Sequence, residues 1–331
     1  MRLWHDGSVC SKGGKALNTH DRTSGNTVRL TAKMALELAA PHTWPAAILP
    51  TLAAVCMAAT RVESLSVSLS LAMLAIVVLF QSAANTFNDY YDCIKGTDSE
   101  DDYVDPSDSV LVYNDVDPRC ALRLAVGFVA AAFALGIYVI VQAGLFPLLI
   151  GVIGAFFVVV YSAGKTPLSY LPLGEAVSGV VMGALVPFAV VQALTGSVEP
   201  LVLVWSAPLA LLVGLIMFTN NISDIERDVP AQRRTLAIAL GRERARSLYH
   251  ALAVASVVAM LAVLAVWFPK GMIVMPFMVL GSLPLFQALF RNPLTPERRL
   301  QSMPQILTVN IVLGAFYSAA ILLSASVDLS L

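Results

Sequence analysis

The chain has 331 residues, of which 57% are hydrophobic and only 13% charged, about half the charged share of a soluble domain. The mean hydropathy is +0.75, which excludes a set of soluble domains and fits one integral membrane bundle. The net charge of −1 says little, because in such a chain the position of each charge matters more than the sum; no nucleic-acid partner is expected.

Residues 1–34 are polar and mixed in charge, and they lack the apolar core and cleavage site of a signal peptide. They are expected to form a flexible cytoplasmic tail, with residues 35–331 forming the membrane domain. A helix that crosses the hydrocarbon core needs about twenty mostly apolar residues. Nine candidates occur, at approximately 42–60, 66–87, 121–143, 145–163, 174–196, 201–221, 248–268, 271–290 and 303–325. The expected fold class is therefore all-α, a multi-span bundle of nine transmembrane helices around a central cavity. The connections near Gly144 and near Lys270 are very short, so the helices they join should be antiparallel neighbours.

Nine spans place nineteen of the 21 Lys and Arg residues on the side of the N-terminus, leaving only Arg61 and Lys270 on the other. Loops on the cytoplasmic side are enriched in Lys and Arg. The N-terminus and the long polar loops 88–119, 164–173, 222–247 and 291–302 are thus expected in the cytoplasm, at the plasma membrane. Chemistry should sit on that face, with an apolar chamber in the bilayer above it. The four cysteines, Cys10, Cys56, Cys93 and Cys120, form no C-x-x-C pair. No zinc or thiol–disulfide signature is present, and reduced thiols are expected.

Two polar stretches end apolar runs. The first is Asn88-Asp89-Tyr90-Tyr91-Asp92, after the second run; the other is Asn220-Asn221-Ile222-Ser223-Asp224-Ile225-Glu226-Arg227-Asp228, after the sixth. Asn88 and Asp92 are four apart, as are Asp224 and Asp228, so each pair shares a helix face. Paired carboxylates repel, and near a membrane an ionised group without a partner costs a few kcal/mol. A divalent cation relieves both penalties, and Mg²⁺ binds through one or two carboxylates plus water and substrate phosphates. By spacing alone, a diphosphate site with two metals and a cation or proton pathway both remain open. The later acidic cluster, Asp98 to Asp117, reads as a solvated loop.

The residues around these pairs narrow the choice. Residues 88–98, Asn-Asp-Tyr-Tyr-Asp-Cys-Ile-Lys-Gly-Thr-Asp, resemble the first aspartate-rich motif of the UbiA superfamily of intramembrane prenyltransferases. Asn220 to Asp228, followed by Arg233-Arg234-Thr235-Leu236-Ala237, resembles the second. Between them, Tyr161-Ser162-Ala163-Gly164-Lys165-Thr166-Pro167 running into Leu173-Gly174-Glu175 is similar to the branch that prenylates 1,4-dihydroxy-2-naphthoate. The likeness covers roughly residues 35–325.

That resemblance implies a reaction, in which polyprenyl diphosphate ionises with the help of Mg²⁺ and the naphthoate ring captures the allylic cation. Loss of CO₂ then gives demethylmenaquinone. A different aromatic or lipid acceptor is the alternative within the family. The resemblance makes Asn88, Asp92, Asp224 and Asp228 the metal and diphosphate residues, supported by Asp89 and Asn221. Lys95, Lys165, Arg233 and Arg234 are the expected cations for the diphosphate; the rings of Tyr90, Tyr91 and Tyr161 are candidates to stabilise the allylic cation, with enrichment at the membrane interface as the other explanation. Departures from the family pattern are Ala40-Pro41-His42, where an Arg usually precedes the Pro, and the Arg-free Ala237–Gly241 segment.

Overall fold

A computed structural model describes residues 28–95, 110–114, 116–164 and 166–330. Most of the expected tail, the Asp98–Asp108 part of the acidic cluster, Asp115 and Lys165 lie outside the described residues. With no water in the hydrocarbon core, each apolar run must satisfy its backbone groups internally, and so becomes a helix. The chain begins with α1 (Ala32–Leu38), whose first turn is capped by Thr31 Oγ1 accepting from the Met34 N–H. A 3-10 turn at Pro41–Thr43 and α2 (Pro45–Ala59) follow.

These first segments bend by 58°. Pro41 and Pro45 withhold N–H donors there, and Ala40 takes a left-handed conformation with φ of 47°. The carbonyls freed at the bend are taken by the next helix. Asn85 Nδ2 donates to the Ala39 carbonyl at 2.9 Å, and Thr86 Oγ1 to the Leu38 carbonyl at 3.1 Å.

That next helix, α3 (Val67–Lys95), runs 29 residues, well past the apolar stretch, and carries the first acidic motif on its last turns. After α4 (Val110–Tyr113), α5 (Pro118–Ala143) and α6 (Phe146–Ser162) form the hairpin expected at Gly144, which has φ of 81°. α7 (Gly174–Val180) and α8 (Val186–Thr195) are one helix interrupted by a wider π turn at Val181–Leu185. The turn precedes Pro187, which has no N–H for the regular ladder. α9 (Leu201–Ser223) is followed by α10 (Ile225–Asp228), α11 (Leu236–Leu240), α12 (Arg242–Trp267), α13 (Met275–Arg291) and α14 (Arg299–Leu322). α12 and α13 meet where His250 packs on Phe290, with ring centroids 4.6 Å apart, as antiparallel neighbours do. The N-terminal part of one helix there touches the C-terminal end of the other.

Among the described residues, seven helices are long and apolar enough to cross a membrane, and an eighth crossing results if the bent pair counts as one. α6, with 17 residues, is shorter than the usual crossing of about twenty. The chain is a multi-pass, all-α membrane protein, and the count by length is seven or eight where nine spans were expected. A short parallel ladder departs from the all-helical pattern, joining Ser64–Ser66 to Asp328–Ser330. Cys56 and Cys120 are free thiols. Cys93, in contrast to the expectation for it, is disulfide-bonded.

α9 is the centre of the bundle, with α7, α12 and α14 packed around it. Gly179 and Gly183 make its contact with the α7–α8 segment possible. A Cβ on Gly179 would overlap the Ala210 carbonyl oxygen, and one on Gly183 would overlap Ala210 Cα and lie 2.6 Å from the Ala210 nitrogen. Small residues let backbones approach where no hydrophobic force draws helices together. Gly183→Ala is therefore expected to destabilise the fold by about 1–3 kcal/mol. Gly127→Ala, where nothing lies within 4 Å, is the matched control. Melting curves in detergent check this, and equal melting of the two variants would refute it.

Candidate active site

Two acidic helix ends converge on one cavity. The first is the end of α3, where Asn88 and Asp92 share a face and Asn88 Nδ2 donates to Asp92 Oδ2 at 3.0 Å. Ser162 Oγ, at the end of α6, donates to Asn88 Oδ1 at 3.3 Å and fixes the other side of that amide. The second is the end of α9. The helix breaks at Asp224 (φ −101°, ψ 12°), yet Asp228 N–H still bonds the Asp224 carbonyl at 2.8 Å. The two carboxylates thus keep the one-turn relation read from their spacing.

The cavity has a volume of about 280 Å³. Asn88, Asp89, Asp92, Tyr161, Asn221, Asp224 and Arg233 all line it, joining residues from α3, α6, α9 and the loop before α11. An apolar cavity of about 90 Å³ adjoins it, walled in part by Phe80 and Phe133. Gly154, Val158, Val181 and Met182 border both cavities.

Arg233 ties the two acidic ends together. Its Nη2 donates to Asp92 Oδ1 at 3.0 Å and its Nη1 lies 3.3 Å from Asp228 Oδ1. The guanidinium also stacks on the Tyr170 ring, 4.7 Å from its centroid. Burial by itself would lower the Arg233 pKa, but the Asp92 and Asp228 carboxylates more than offset it and raise the value above the ordinary one. Burial pushes the Asp228 carboxyl up to about 7, against the pull of Arg233. Asp228 Oδ2 is buried and has no hydrogen-bond partner.

Arg299 holds Asp224 in a similar way. Its Nη2 donates to Asn220 Oδ1 at 2.8 Å, and its Nε lies 2.8 Å from Asp224 Oδ1 in an ion pair too misaligned to be a hydrogen bond. Outside the cavity, Arg242 grips both oxygens of Glu226 at 2.6 Å and also donates to the carbonyls of Ile222 and Leu294. These bonds anchor the loop that carries Asp228, and the Arg242 hydrogen bonds hold the Glu226 carboxyl below its ordinary range.

Not every expected residue reaches the cavity. Lys95 turns to the Ser162 carbonyl at 2.9 Å, with its ammonium 4.8 Å from the Tyr170 ring centroid. It stands beside Asp92 and Arg233 but does not line the cavity. The Arg234 side chain is exposed, and its backbone N–H bonds the Tyr170 carbonyl at 2.7 Å. Lys165 lies outside the described residues. Conversely, Arg299, Arg227, Glu37 and His42 line the cavity without having been singled out by motif spacing. Arg299 follows Arg298 at the start of an apolar run, where membrane anchoring is an equally good explanation of both. Its pairing with a residue 79 positions earlier left no local signal.

A model described as the UbiA prenyltransferase family matches residues 47–323. A 1,4-dihydroxy-2-naphthoate octaprenyltransferase of Bacillus subtilis is 34% identical over 215 residues, 65% of this chain and 68% of that protein. An enzyme of the same name from Mycobacterium tuberculosis is 28% identical over 279 residues, 84% of this chain and 94% of its own length. A UbiA homolog from Archaeoglobus fulgidus, bound to GPP and Mg²⁺, has the same fold. The TM-score is 0.60 at 19% identity, over 87% of this chain and 99% of that one.

Proposed function

From the premise that this chain belongs to the UbiA prenyltransferase family, we propose that it transfers a polyprenyl group from polyprenyl diphosphate to 1,4-dihydroxy-2-naphthoate. Loss of CO₂ from the prenylated ring then gives demethylmenaquinone. The observation that carries this reading is the meeting of Asp92 and Asp228 on one buried guanidinium, beside a cavity that also holds Asn88 and Asp224. Two relatives named for this acceptor support the substrate.

Mg²⁺ fits the residues present. Among the described residues no three His, Cys, Asp or Glu side chains form a ready-made cage. Mg²⁺ takes one or two carboxylates and completes its shell with water and substrate phosphates. Arg233 already sits as a cation between the two acidic ends, and the buried Asp228 Oδ2 has a lone pair to offer. Asn88, Asp92 and Asp224 on the wall, and Asp228, which does not line the cavity but pairs with Arg233, would hold the metal, with Asp89 and Asn221 beside them. When bound, Mg²⁺ supplies positive charge to the oxygens of the leaving diphosphate.

The chain's own residues do the rest. Arg233 faces the space where negative charge grows on the diphosphate as the allylic C–O bond breaks, and a fixed cation there favours the transition state. Lys95 adds positive charge from behind, and Lys165 belongs to the same proposal. Arg234, being exposed, would act on the diphosphate only after moving. The adjoining apolar cavity takes the isoprenoid chain and keeps water from the allylic cation. The Tyr161 ring on the cavity wall offers its face to that cation. With α6 and the bent pair each counted as a crossing, the distribution of Lys and Arg supports a cytoplasmic site.

The test is direct. Purified protein in lipid nanodiscs receives polyprenyl diphosphates of several lengths, Mg²⁺ and 1,4-dihydroxy-2-naphthoate. Prenylated, decarboxylated naphthol is expected in the organic extract, together with free diphosphate. Prenylation of another aromatic acceptor, with none of the naphthoate at any chain length, would overturn the acceptor assignment.

A further inference from the structure

One buried acid behind the cavity wall has no part in the reaction as described above. Glu175 begins α7 and is only 7% exposed. Its Oε1 accepts a hydrogen bond from Asn221 Nδ2 at 2.8 Å, while its Oε2 is enclosed and without a partner. Asn221 is itself 5% exposed and lines the cavity beside Asn220 and Asp224. A buried carboxylate next to a binding wall is costly unless it serves a purpose.

The purpose follows from donor and acceptor chemistry. An amide has two faces, one donating and one accepting, and on a binding wall either can turn to a ligand. An ionised carboxylate only accepts. Facing Glu175, Asn221 must therefore point its nitrogen at the acid and its carbonyl oxygen away from it. That Oδ1 accepts no hydrogen bond from any described residue and is not among the enclosed, unpartnered atoms, and the residue itself lines the cavity. The wall at Asn221 is fixed as an acceptor. A diphosphate presents acceptor oxygens too, and gains nothing from a carbonyl oxygen opposite it, whereas a magnesium ion can accept that oxygen as a ligand, which the Mg²⁺ dependence below separates from a hydroxyl. A hydroxyl group does gain.

We propose that Glu175 is a positioning residue that locks the Asn221 amide with its carbonyl oxygen toward the cavity, where it receives a hydroxyl of the aromatic acceptor. The site thereby selects hydroxyaromatic rings, whose oxygens make the ring electron-rich. The inference rests on an aromatic acceptor, as in the function proposed above.

Kinetics and binding test it with Glu175→Gln, in which amide faces amide and both orientations become available. The acceptor KM is expected to rise about tenfold, as for one lost hydrogen bond. The donor KM and the Mg²⁺ dependence should stay unchanged. The double variant Glu175→Gln with Asn221→Asp reverses the polarity of the pair. Gln then donates to the new carboxylate, whose other oxygen again faces the cavity, and the acceptor KM should return to within about threefold of the parent. Fluorescence titration of 1,4-dihydroxy-2-naphthoate without donor makes the same comparison independently of turnover. If turnover with this acceptor fails but its binding falls in the single variant and recovers in the double, the positioning role stands and the reaction reading falls. In Glu175→Gln, a shift in donor KM or Mg²⁺ dependence or an unchanged acceptor affinity would each overturn the proposal, as would no recovery of acceptor affinity in the double variant.

Discussion

Asp92→Ala is expected to lower turnover by about 10²–10³-fold while the chain stays folded. Asp92 is the residue on α3 where the two halves of the site meet. It takes the Asn88 amide at 3.0 Å on one oxygen and the Arg233 guanidinium at 3.0 Å on the other. Its removal takes away a proposed metal ligand and leaves Arg233 with Asp228 and the Tyr170 ring. The fold should tolerate the loss, because a buried cation keeps one carboxylate partner. Asp92→Asn separates charge from shape, since the amide can still meet Asn88 but cannot neutralise a cation. The two variants should therefore fail alike in turnover and melt near the parent. Initial rates and melting curves on the same samples check both statements. Turnover near that of the parent in Asp92→Ala would remove Asp92 from the proposed metal set.

Arg233→Ala should have the largest effect on stability. Arg233 is the shared partner of Asp92 and Asp228, whose side chains are 11% and 2% exposed. Breaking a buried pair from one side strands its charge, at a cost of about 3–5 kcal/mol. Here one substitution strands two carboxylates near each other. The melting temperature in detergent should fall accordingly, and Mg²⁺ should recover much of it. A ligand that binds only the folded state stabilises it in proportion to the logarithm of its concentration over Kd. The parent, with its own guanidinium in place, should gain less from the same Mg²⁺. Arg233→Lys keeps the charge but loses the fork and the stacking on Tyr170, and should fall between the two. If Arg233→Ala melts like the parent without Mg²⁺, the bridge contributes nothing to the fold.

The comparison of expectation with structure turns on particular residues. The membrane span in α3 was expected to end near residue 87, with Asn88 and Asp92 on the helix end beyond it. The helix continues through Asn88 and Asp92 to Lys95, since their polar side chains find partners inside the bundle. The first span was read as 42–60, and the structure adds a helical segment before it, Ala32–Thr43, bent by 58° from α2, where α3 supplies side chains to the freed carbonyls. Lys95 and Arg234, two cations chosen for their nearness to the motifs, are turned elsewhere. Glu175 was legible as part of a motif, yet its hydrogen bond to a residue 46 positions on was not.

Run length and four-residue spacing are local quantities, and they were enough to establish a helical membrane protein with two acidic helix ends. An apolar segment in lipid has little alternative to a helix, and a helix places residues i and i+4 on one face whatever surrounds it. The pairing of charges obeys no such local rule. Arg233 meets Asp92 across 141 positions because Gly179 and Gly183 let α7 press on α9 and because Tyr170 props the loop before α11. Only the packed bundle decides which cation reaches which carboxylate, since that depends on distances between segments that no stretch of sequence contains.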